Sequence, residues 1–298
     1  MQFSPKDLAR LDTDRLNAYR TNLNFYQGSQ WQTTSRNRQL VFNYAKTSID
    51  KVTSYLMQGL SFACYPTTPS RQSAVGSQQS KLKTIDYQLS TANLNERVRR
   101  AEQLLRQVYE DNNLQQLDWE TEVDAAVLGD GCYKVTWDGG EKRIRVTAPD
   151  ISGVFAWWLG DDMSKVWRVA SQYKLSRDEV EMLYGNERQL VGDKPRPYEG
   201  HHGSGGVYPR LKPYDAAITK KSSTVTELWT AKTFDLFLDS DLMESKPNPY
   251  GFIPFVIFPN LREPKKFWGA SDIPGLIQPQ RELNRALSQL SRILELSG

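Results

Sequence analysis

The sequence has few of the residues that form disulfides or metal sites. Its 298 residues include two cysteines and two histidines. Cys64 and Cys132 lie in unrelated contexts, which favours buried or free thiols over a disulfide or catalytic pair and fits a reducing compartment. His201 and His202 are adjacent in a glycine-rich segment, and neighbouring side chains in extended backbone point apart. They are therefore a poor pair of ligands for one metal ion.

The sequence also lacks a long apolar run and a large excess of charge. No stretch reaches the roughly eighteen apolar residues that a membrane helix needs, and the first residues do not form a signal peptide. We therefore expect no membrane span and no secretory route. The net charge of +3 is nearly neutral for this length. Tight, sequence-independent binding of DNA needs many clustered cations, so any contact with DNA is expected to be weak.

Nucleotide-binding and catalytic motifs are missing as well. Neither Gly-x-x-x-x-Gly-Lys-Ser/Thr nor Gly-x-Gly-x-x-Gly occurs, so the chain encodes no nucleotide-driven motor. A serine or cysteine nucleophile would need His201 or His202 as its base, and a flexible loop positions a base poorly. We therefore expect a protein that is not an enzyme and that uses no cofactor.

Acidic residues do cluster, and they leave one enzymatic alternative open. The clusters are Asp124, Asp130, Asp138 and Glu141, and then Asp161 and Asp162. Nucleases and phosphatases with two metal ions use such groups, but most of these residues fall at predicted turns, where aspartate commonly caps backbone N–H groups. The alternative is a metal-dependent nuclease or phosphoesterase that uses the region of Asp130, Asp138 and Glu141.

Helical periodicity dominates the first part of the chain. Ser4 and Pro5 are typical of a helix start, and Gly28 of a helix end. Apolar residues three and four apart predict helices at residues 8–26, 41–59, 95–111 and 117–128.

Strand patterns follow. Gly129 to Gly131 predict a turn, and the alternation after it predicts a hairpin of residues 132–137 and 142–147. Further strands are expected at residues 154–159, 166–173, 224–230, 234–238 and, as a buried strand, 252–258. Most tryptophans lie on these strands, which favours packing in a core or subunit interface. The fold class is therefore α+β, with N-terminal helices, a mostly antiparallel β region and flexible loops at residues 61–82 and 186–222.

The last predicted helix is amphipathic, with Ser271 or Asp272 as its N-cap and a kink or second start at Pro279. Its apolar stripe consists of Leu283, Leu287, Leu290 and Leu294, and on nearly the opposite side lie Arg281, Arg285 and Arg292. The leucines need an apolar partner from elsewhere in the fold or from another subunit.

Several short motifs occur in a recognisable order. They are Tyr26-Gln27-Gly28-Ser29-Gln30-Trp31, then Asn43-Tyr44, Ile49-Asp50, Tyr55-Leu56 and Gly59, then Gly129 to Asp138, then Asn248-Pro249-Tyr250-Gly251, and last Gly269, Ser271, Asp272, Gln280 and Asn284. In this order they resemble the portal proteins of tailed bacteriophages, of the type found in long-tailed phages.

The resemblance implies a homo-oligomeric ring, usually of twelve copies, at one vertex of the capsid of a virion assembled in the host cytoplasm. DNA would enter and leave through the ring with weak contacts. Its other partners would be the major capsid protein, scaffold, terminase and head-completion adaptor. Residues 1–260 would form an outer wing, and residues 261–298 a connector and the start of a stem helix. The family's clip, second stem helix and crown are expected to be absent from this sequence.

The resemblance also suggests roles for the last helix. The leucine stripe would pack against neighbouring helices of the ring, and the arginines would face the channel or acidic residues of the next subunit. A different ring-forming adaptor of the phage neck is the remaining alternative.

Overall fold

A computed structural model describes residues 4–31, 39–57, 63–65, 82–176, 179–180, 182 and 222–297, with the backbone alone for residue 9 and residues 82–94. Helices make up 46% of the structure and strands 30%, and the sheets are antiparallel. The predicted α+β class is therefore confirmed. None of the helices in these ranges is both long and apolar enough to cross a membrane.

The first part of the chain is helical, as its periodicity predicts. A 3-10 turn at Pro5–Asp7 leads into α1 (Leu8–Leu11) and α2 (Thr13–Tyr26). The single helix expected here is interrupted at Asp12, whose φ of −124° and ψ of 32° are not helical. The next helix, α3 (Tyr44–Leu56), begins after Asn43, whose side chain accepts a hydrogen bond from the N–H of Lys46.

Two longer helices follow. They are α4 (Leu82–Asp111) and α5 (Leu114–Leu128), separated by Asn113 in the left-handed conformation at φ 48°. The helix predicted at residues 95–111 therefore starts earlier, and residue 82 belongs to it instead of to the predicted loop 61–82. Within that loop, residues 63–65 have no regular structure, and residues 61–62 and 66–81 lie outside the described residues.

The strands form two sheets. They are β1 (Asp130–Asp138), β2 (Arg143–Thr147), β3 (Val154–Leu159), β4 (Asp162–Ser176), β5 (Ser222–Thr230), β6 (Thr233–Leu238), β7 (Asp241–Pro247) and β8 (Phe255–Pro259). The orders are β2-β1-β8 and β3-β4-β5-β6-β7. The hairpin predicted at residues 132–147 is confirmed, since β1 and β2 pair in antiparallel register.

Three strand predictions need correction. Asp130 and Gly131 already pair with β8, so only Gly129, at φ 119°, belongs to the predicted turn. The strand expected at residues 252–258 starts after Pro254, and Val256 is 55% exposed, so β8 is not a buried strand. β7 was not predicted, because its short alternation of apolar and charged residues resembles a loop.

The segment between β4 and β5 is described only at its start. The sequence Ser176-Arg177-Asp178-Glu179 has the spacing that predicts a capping box. Ser176 N–H donates to Glu179 Oε2 at 2.6 Å, and Glu179 N–H donates to Ser176 Oγ at 3.3 Å, which confirms it. The predicted loop 186–222 lies outside the described residues except for Ser222, which begins β5.

Apolar packing joins the helices to both sheets. One cluster brings together Tyr19, Phe25, Ile49, Leu128 and Ile273 from four helices. A second cluster, around Trp229 and Phe234, lies on the five-stranded sheet and contacts Phe255 of β8. Lys134 of β1 and Glu227 of β5 form a buried ion pair at 2.6 Å between the sheets. The last helix therefore starts from a core shared by the rest of the fold.

Candidate assembly surface on the last helix

The last helix, α6, spans Ile273–Ser297 and continues through Pro279, so the predicted second helix start is wrong. The side chain of Ser271 caps the first turn of α6. The Ser271 hydroxyl oxygen accepts a hydrogen bond from Ile273 N–H at 3.0 Å, and the same hydroxyl lies 2.6 Å from the carbonyl oxygen of Val127. Of the two predicted N-caps, Ser271 therefore makes the capping contact, and it ties α6 to the end of α5.

Two glycines allow the backbone to reach this position. Gly129 ends α5 in the left-handed conformation, and a Cβ atom placed there would lie 2.9 Å from the carbonyl oxygen of Gly269. A Cβ atom at Gly269 would overlap the carbonyl oxygen of Gly129. Neither position therefore accepts a side chain without a shift of the backbone.

Asp130 links this contact to α2. Its Oδ1 accepts from Gly269 N–H at 2.7 Å, and its Oδ2 accepts from the Tyr19 hydroxyl at 2.6 Å. Burial raises the pKa of Asp130, although both hydrogen bonds and Arg15 act in the opposite direction. The Arg15 guanidinium stacks 3.9 Å from the ring of Trp268 and donates to the carbonyl oxygen of Val154 at 2.9 Å. Asp130 therefore has a structural role, because both of its carboxylate oxygens accept hydrogen bonds from groups of the protein.

Beyond its first turns, where Ile273 is buried in the shared core, the side of α6 that faces its own chain is polar. Gln280 and Asn284 are 5% and 2% exposed and lie one helical turn apart. Gln280 Nε2 donates to Asn284 Oδ1 at 3.0 Å and to the carbonyl oxygen of Phe42 at 2.6 Å. Connected buried amides of this kind specify one arrangement, because any shift leaves buried polar groups without partners.

Residues 40–45 lie along this row of amides. Three backbone N–H groups donate to it, namely Leu40 to Ser288 Oγ at 3.0 Å, Phe42 to Asn284 Oδ1 at 3.1 Å, and Ala45 to Gln280 Oε1 at 3.1 Å. The residue numbers rise on one side while they fall on the other, so the segment runs antiparallel to α6. We call this set of contacts the amide row.

Gln30 completes the amide row. It is 1% exposed, and its Oε1 accepts from Asn284 Nδ2 at 2.6 Å. Its Nε2 donates to Asn43 Oδ1 at 2.8 Å, which is the same oxygen that caps α3. The amide row therefore fixes the position of α6 relative to both α2 and α3.

The predicted leucine stripe lies on a different side of α6. Leu283, Leu290 and Leu294 are 37%, 51% and 63% exposed, and Leu287 is half-buried. Two more apolar residues near the end of the helix, Ile293 and Leu296, are 61% and 79% exposed. The stripe is therefore a surface of the single chain, and beyond Ile273, Leu276 and Ile277 the helix packs on its own chain mainly through amides.

The three predicted arginines differ in their contacts. Arg281 Nε donates to the carbonyl oxygen of Gln30 at 3.3 Å, so this side chain contributes to the amide row. Arg285 pairs with Glu282 at 3.2 Å, and both side chains are at least half exposed, a contact worth little in water. The exposed side chain of Arg292 forms no ion pair or hydrogen bond with any residue in the described part of the chain.

The acidic residues considered for metal binding serve mostly as caps and pair partners. Asp138 accepts from the N–H groups of Gly140 and Glu141, each at 3.0 Å, and Glu141 pairs with Arg143. Asp162 accepts from Ser164 N–H at 3.1 Å. Within the described ranges, no group of three or more potential ligands could hold a metal ion. His201 and His202 lie outside the described residues.

The side chains of Glu122 and Asp124, both on α5, form no hydrogen bond or ion pair with any residue in the described ranges. Burial and the neighbouring Asp272 raise the pKa of Glu122. Burial, with smaller contributions from Asp150 and Glu120, raises the pKa of Asp124 to about 7. These groups lie on α5, directly before the residues that support α6.

Periodicity identified the leucines and arginines but gave no role to Gln280, Asn284 or Ser288. Polar residues four apart on a helix usually indicate a solvated side, and only their contacts reveal the amide row. No protein-family model matches the chain, and a search of curated proteins finds no similar sequence.

Proposed function

We propose that the protein is a structural subunit of a ring-shaped portal at one vertex of a phage capsid. In this role it forms the channel for DNA packaging and ejection and a docking platform for terminase and neck proteins. The order of motifs in the sequence is the basis of this proposal. The fold is compatible with it, since a body of helices and antiparallel sheets leads into a long amphipathic helix.

The observation that carries the proposal is the division of α6 into two sides. Its amide row attaches it to its own chain at Gln280 and Asn284, while Leu290 and Leu294 remain more than half exposed. Exposed apolar stripes on anchored helices are typical of subunit interfaces. A ring supplies an apolar partner to every copy at once, because neighbouring copies meet through the same pair of surfaces.

The nearly neutral charge of the chain supports the same function. The chain carries 38 basic and 35 acidic residues, which gives a net charge of +3. Each firm contact with a phosphate would oppose sliding of the duplex, so a conduit benefits from a nearly neutral subunit.

The oligomeric state of the protein made from its intact gene tests the proposal. We expect a closed ring with a central hole by electron microscopy, and a mass of about twelve copies. Leu290→Glu combined with Leu294→Glu should leave the single subunit folded and abolish the ring. Gln103→Glu, an exposed position on α4, is the matched control and should assemble normally. A wild-type protein that stays monomeric at micromolar concentration would contradict the proposal.

The alternatives predict different results. Capsids assembled with the Leu290→Glu, Leu294→Glu protein should contain no DNA if the protein is a portal. A neck adaptor would instead give DNA-filled heads that fail to join tails. A nuclease would cleave DNA in the presence of magnesium or manganese, with loss of activity in Asp138→Asn.

A further inference from the structure

The sides of α6 fall into an order that suits a ring. At about 100° per residue, the leucine stripe and the arginine side lie about 170° apart around the helix. The amide row of Gln280 and Asn284 lies between them and is covered by the chain itself. A neighbouring copy can therefore approach α6 from the leucine side, and another copy from the arginine side.

Negative charge is concentrated at the start of α6. Asp272 directly precedes α6, and its N–H donates to the carbonyl oxygen of Ala126 at 3.0 Å, one turn along α5 from Glu122. Glu122 of α5 lies near enough for the Asp272 charge to act on it. Both are half-buried, and neither forms an ion pair within the described ranges. Two half-buried carboxylates without a cation are unfavourable in the single chain.

The arginine side of α6 carries positive charge. Arg285 and Arg292 are two helical turns apart on the same side, and both are exposed. Arg285 has only its exposed contact with Glu282, and Arg292 has no ionic partner in the described part of the chain. Arg281 donates a hydrogen bond to the Gln30 carbonyl oxygen within its own chain, so it is less suited to binding a neighbouring copy. Within the described ranges, the chain thus presents two acids without an ionic partner at the start of α6 and available guanidinium groups further along it.

From this complementarity we infer that Arg285 and Arg292 of one copy bind Glu122 and Asp272 of the next copy. The inference rests on the proposed ring and specifies which surfaces of neighbouring copies meet. The contact is head-to-tail, since the two surfaces differ, and such contacts close into rings. Charge pairs at an interface fix register and select the correct neighbour.

Two charge-reversed proteins test the contact. The first carries Arg285→Glu and Arg292→Glu, and the second carries Glu122→Arg and Asp272→Arg. Alone, each would place like charges at every contact, so we expect at least a tenfold loss of ring relative to wild type, measured as the mass distribution at fixed concentration. Arg99→Glu, an exposed reversal on α4, is the control and should assemble as wild type does.

Mixing the two proteins gives the decisive measurement. In a head-to-tail ring whose copies alternate, every contact would again join opposite charges, so the mixture should recover rings that contain both proteins. Circular dichroism and thermal unfolding of each protein before mixing should match wild type, which separates loss of assembly from loss of folding. If a variant fails to fold, Arg292→Glu mixed with Glu122→Arg repeats the test with one change in each protein.

The outcomes separate this inference from the proposed function. Normal rings from each reversed protein alone would overturn the inference and leave the ring intact. Failure of two folded proteins to recover rings on mixing would also overturn it, because the arginines and acids would then act at different contacts. If the wild-type protein is monomeric, the proposed function itself is contradicted.

Discussion

The two halves of α6 are built from different chemistry. The first half contacts its own chain through the fully buried Ile273 and through polar groups, since Gln280 and Asn284 are 5% and 2% exposed. The second half carries apolar side chains on the surface, and Leu294 and Leu296 are 63% and 79% exposed. Beyond the first turns of the helix, polar residues are thus buried and apolar residues are exposed, which reverses the usual arrangement.

The reversal shows how a helix can be anchored and still offer an apolar surface. Hydrogen bonds are directional, so the amide row specifies both the rotation and the position of α6 along its axis. Apolar contact is not directional, and it acts with any apolar surface that removes water. Anchoring by amides therefore leaves the leucines available for a partner that the single chain does not supply.

The largest expected effect is a difference in stability between substitutions of apolar residues at the two ends of α6. Ile273 is fully buried in the shared core, so Ile273→Ala should lower the free energy of unfolding by about 3 kcal/mol. Leu294→Ala removes a mostly exposed side chain and should change it by less than about 0.5 kcal/mol. Chemical denaturation of unassembled subunits measures both values. Equal losses at the two positions would show that the second half of α6 is also packed within the subunit.

A smaller effect is expected in the amide row. Asn284→Ala removes partners from Gln30 Oε1, Gln280 Nε2 and the N–H of Phe42, all of which are buried or half-buried. We expect a loss of about 2 kcal/mol in the free energy of unfolding, since buried polar groups would lack partners. Gln289→Ala, an exposed amide on the same helix, is the matched control and should be nearly neutral. A neutral Asn284→Ala would mean that the amide row contributes nothing to anchoring.

The last expected effect depends on pH and concerns α5, which supports the first half of α6. The pKa of Asp124 is raised from 3.8 to about 7, so the folded protein retains this proton to higher pH than the unfolded chain. Stability from this group is complete below about pH 4 and is lost as the pH rises through about 7. Asp124→Asn should therefore raise the free energy of unfolding at about pH 8 and change it little at about pH 4, where the carboxyl group of the folded protein is protonated.

Thermal or chemical unfolding at the two pH values measures this difference. Asp161→Asn, an exposed carboxylate on the turn before β4, serves as the control. A gain for Asp124→Asn that is equal at both pH values would show that the charge of Asp124 is not responsible.

Sequence patterns predicted the elements well where one physical signal dominated. The leucines of α6, the hairpin of β1 and β2 and the capping box at Ser176 were all recognisable, because each follows from spacing or turn chemistry alone. The α+β class followed from the order of these elements. Pattern reasoning was wrong where pairing partners decided the outcome, as for β7 and for Asp130 and Gly131 at the start of β1.

The amide row that anchors α6 could not be predicted from periodicity, for a different reason. Gln280 and Asn284 have the spacing of a solvated helix side, and their contacts with Gln30 and Phe42 show that they are buried groups. The motif resemblance did include Gly269, Ser271, Gln280 and Asn284, but without assigning a role to any of them. Their contacts supply that role, since all four determine where α6 begins or how it is held.

The facing glycines have an evolutionary consequence. Gly129 and Gly269 are far apart in the chain, yet each occupies the space that a methyl group on the other would require. Substitution of one alone forces the main chain to move, and a second change cannot restore the lost volume. Distant relatives that keep this helix junction should therefore carry both glycines together, and those that have lost one should have rebuilt the loop around residues 260–270.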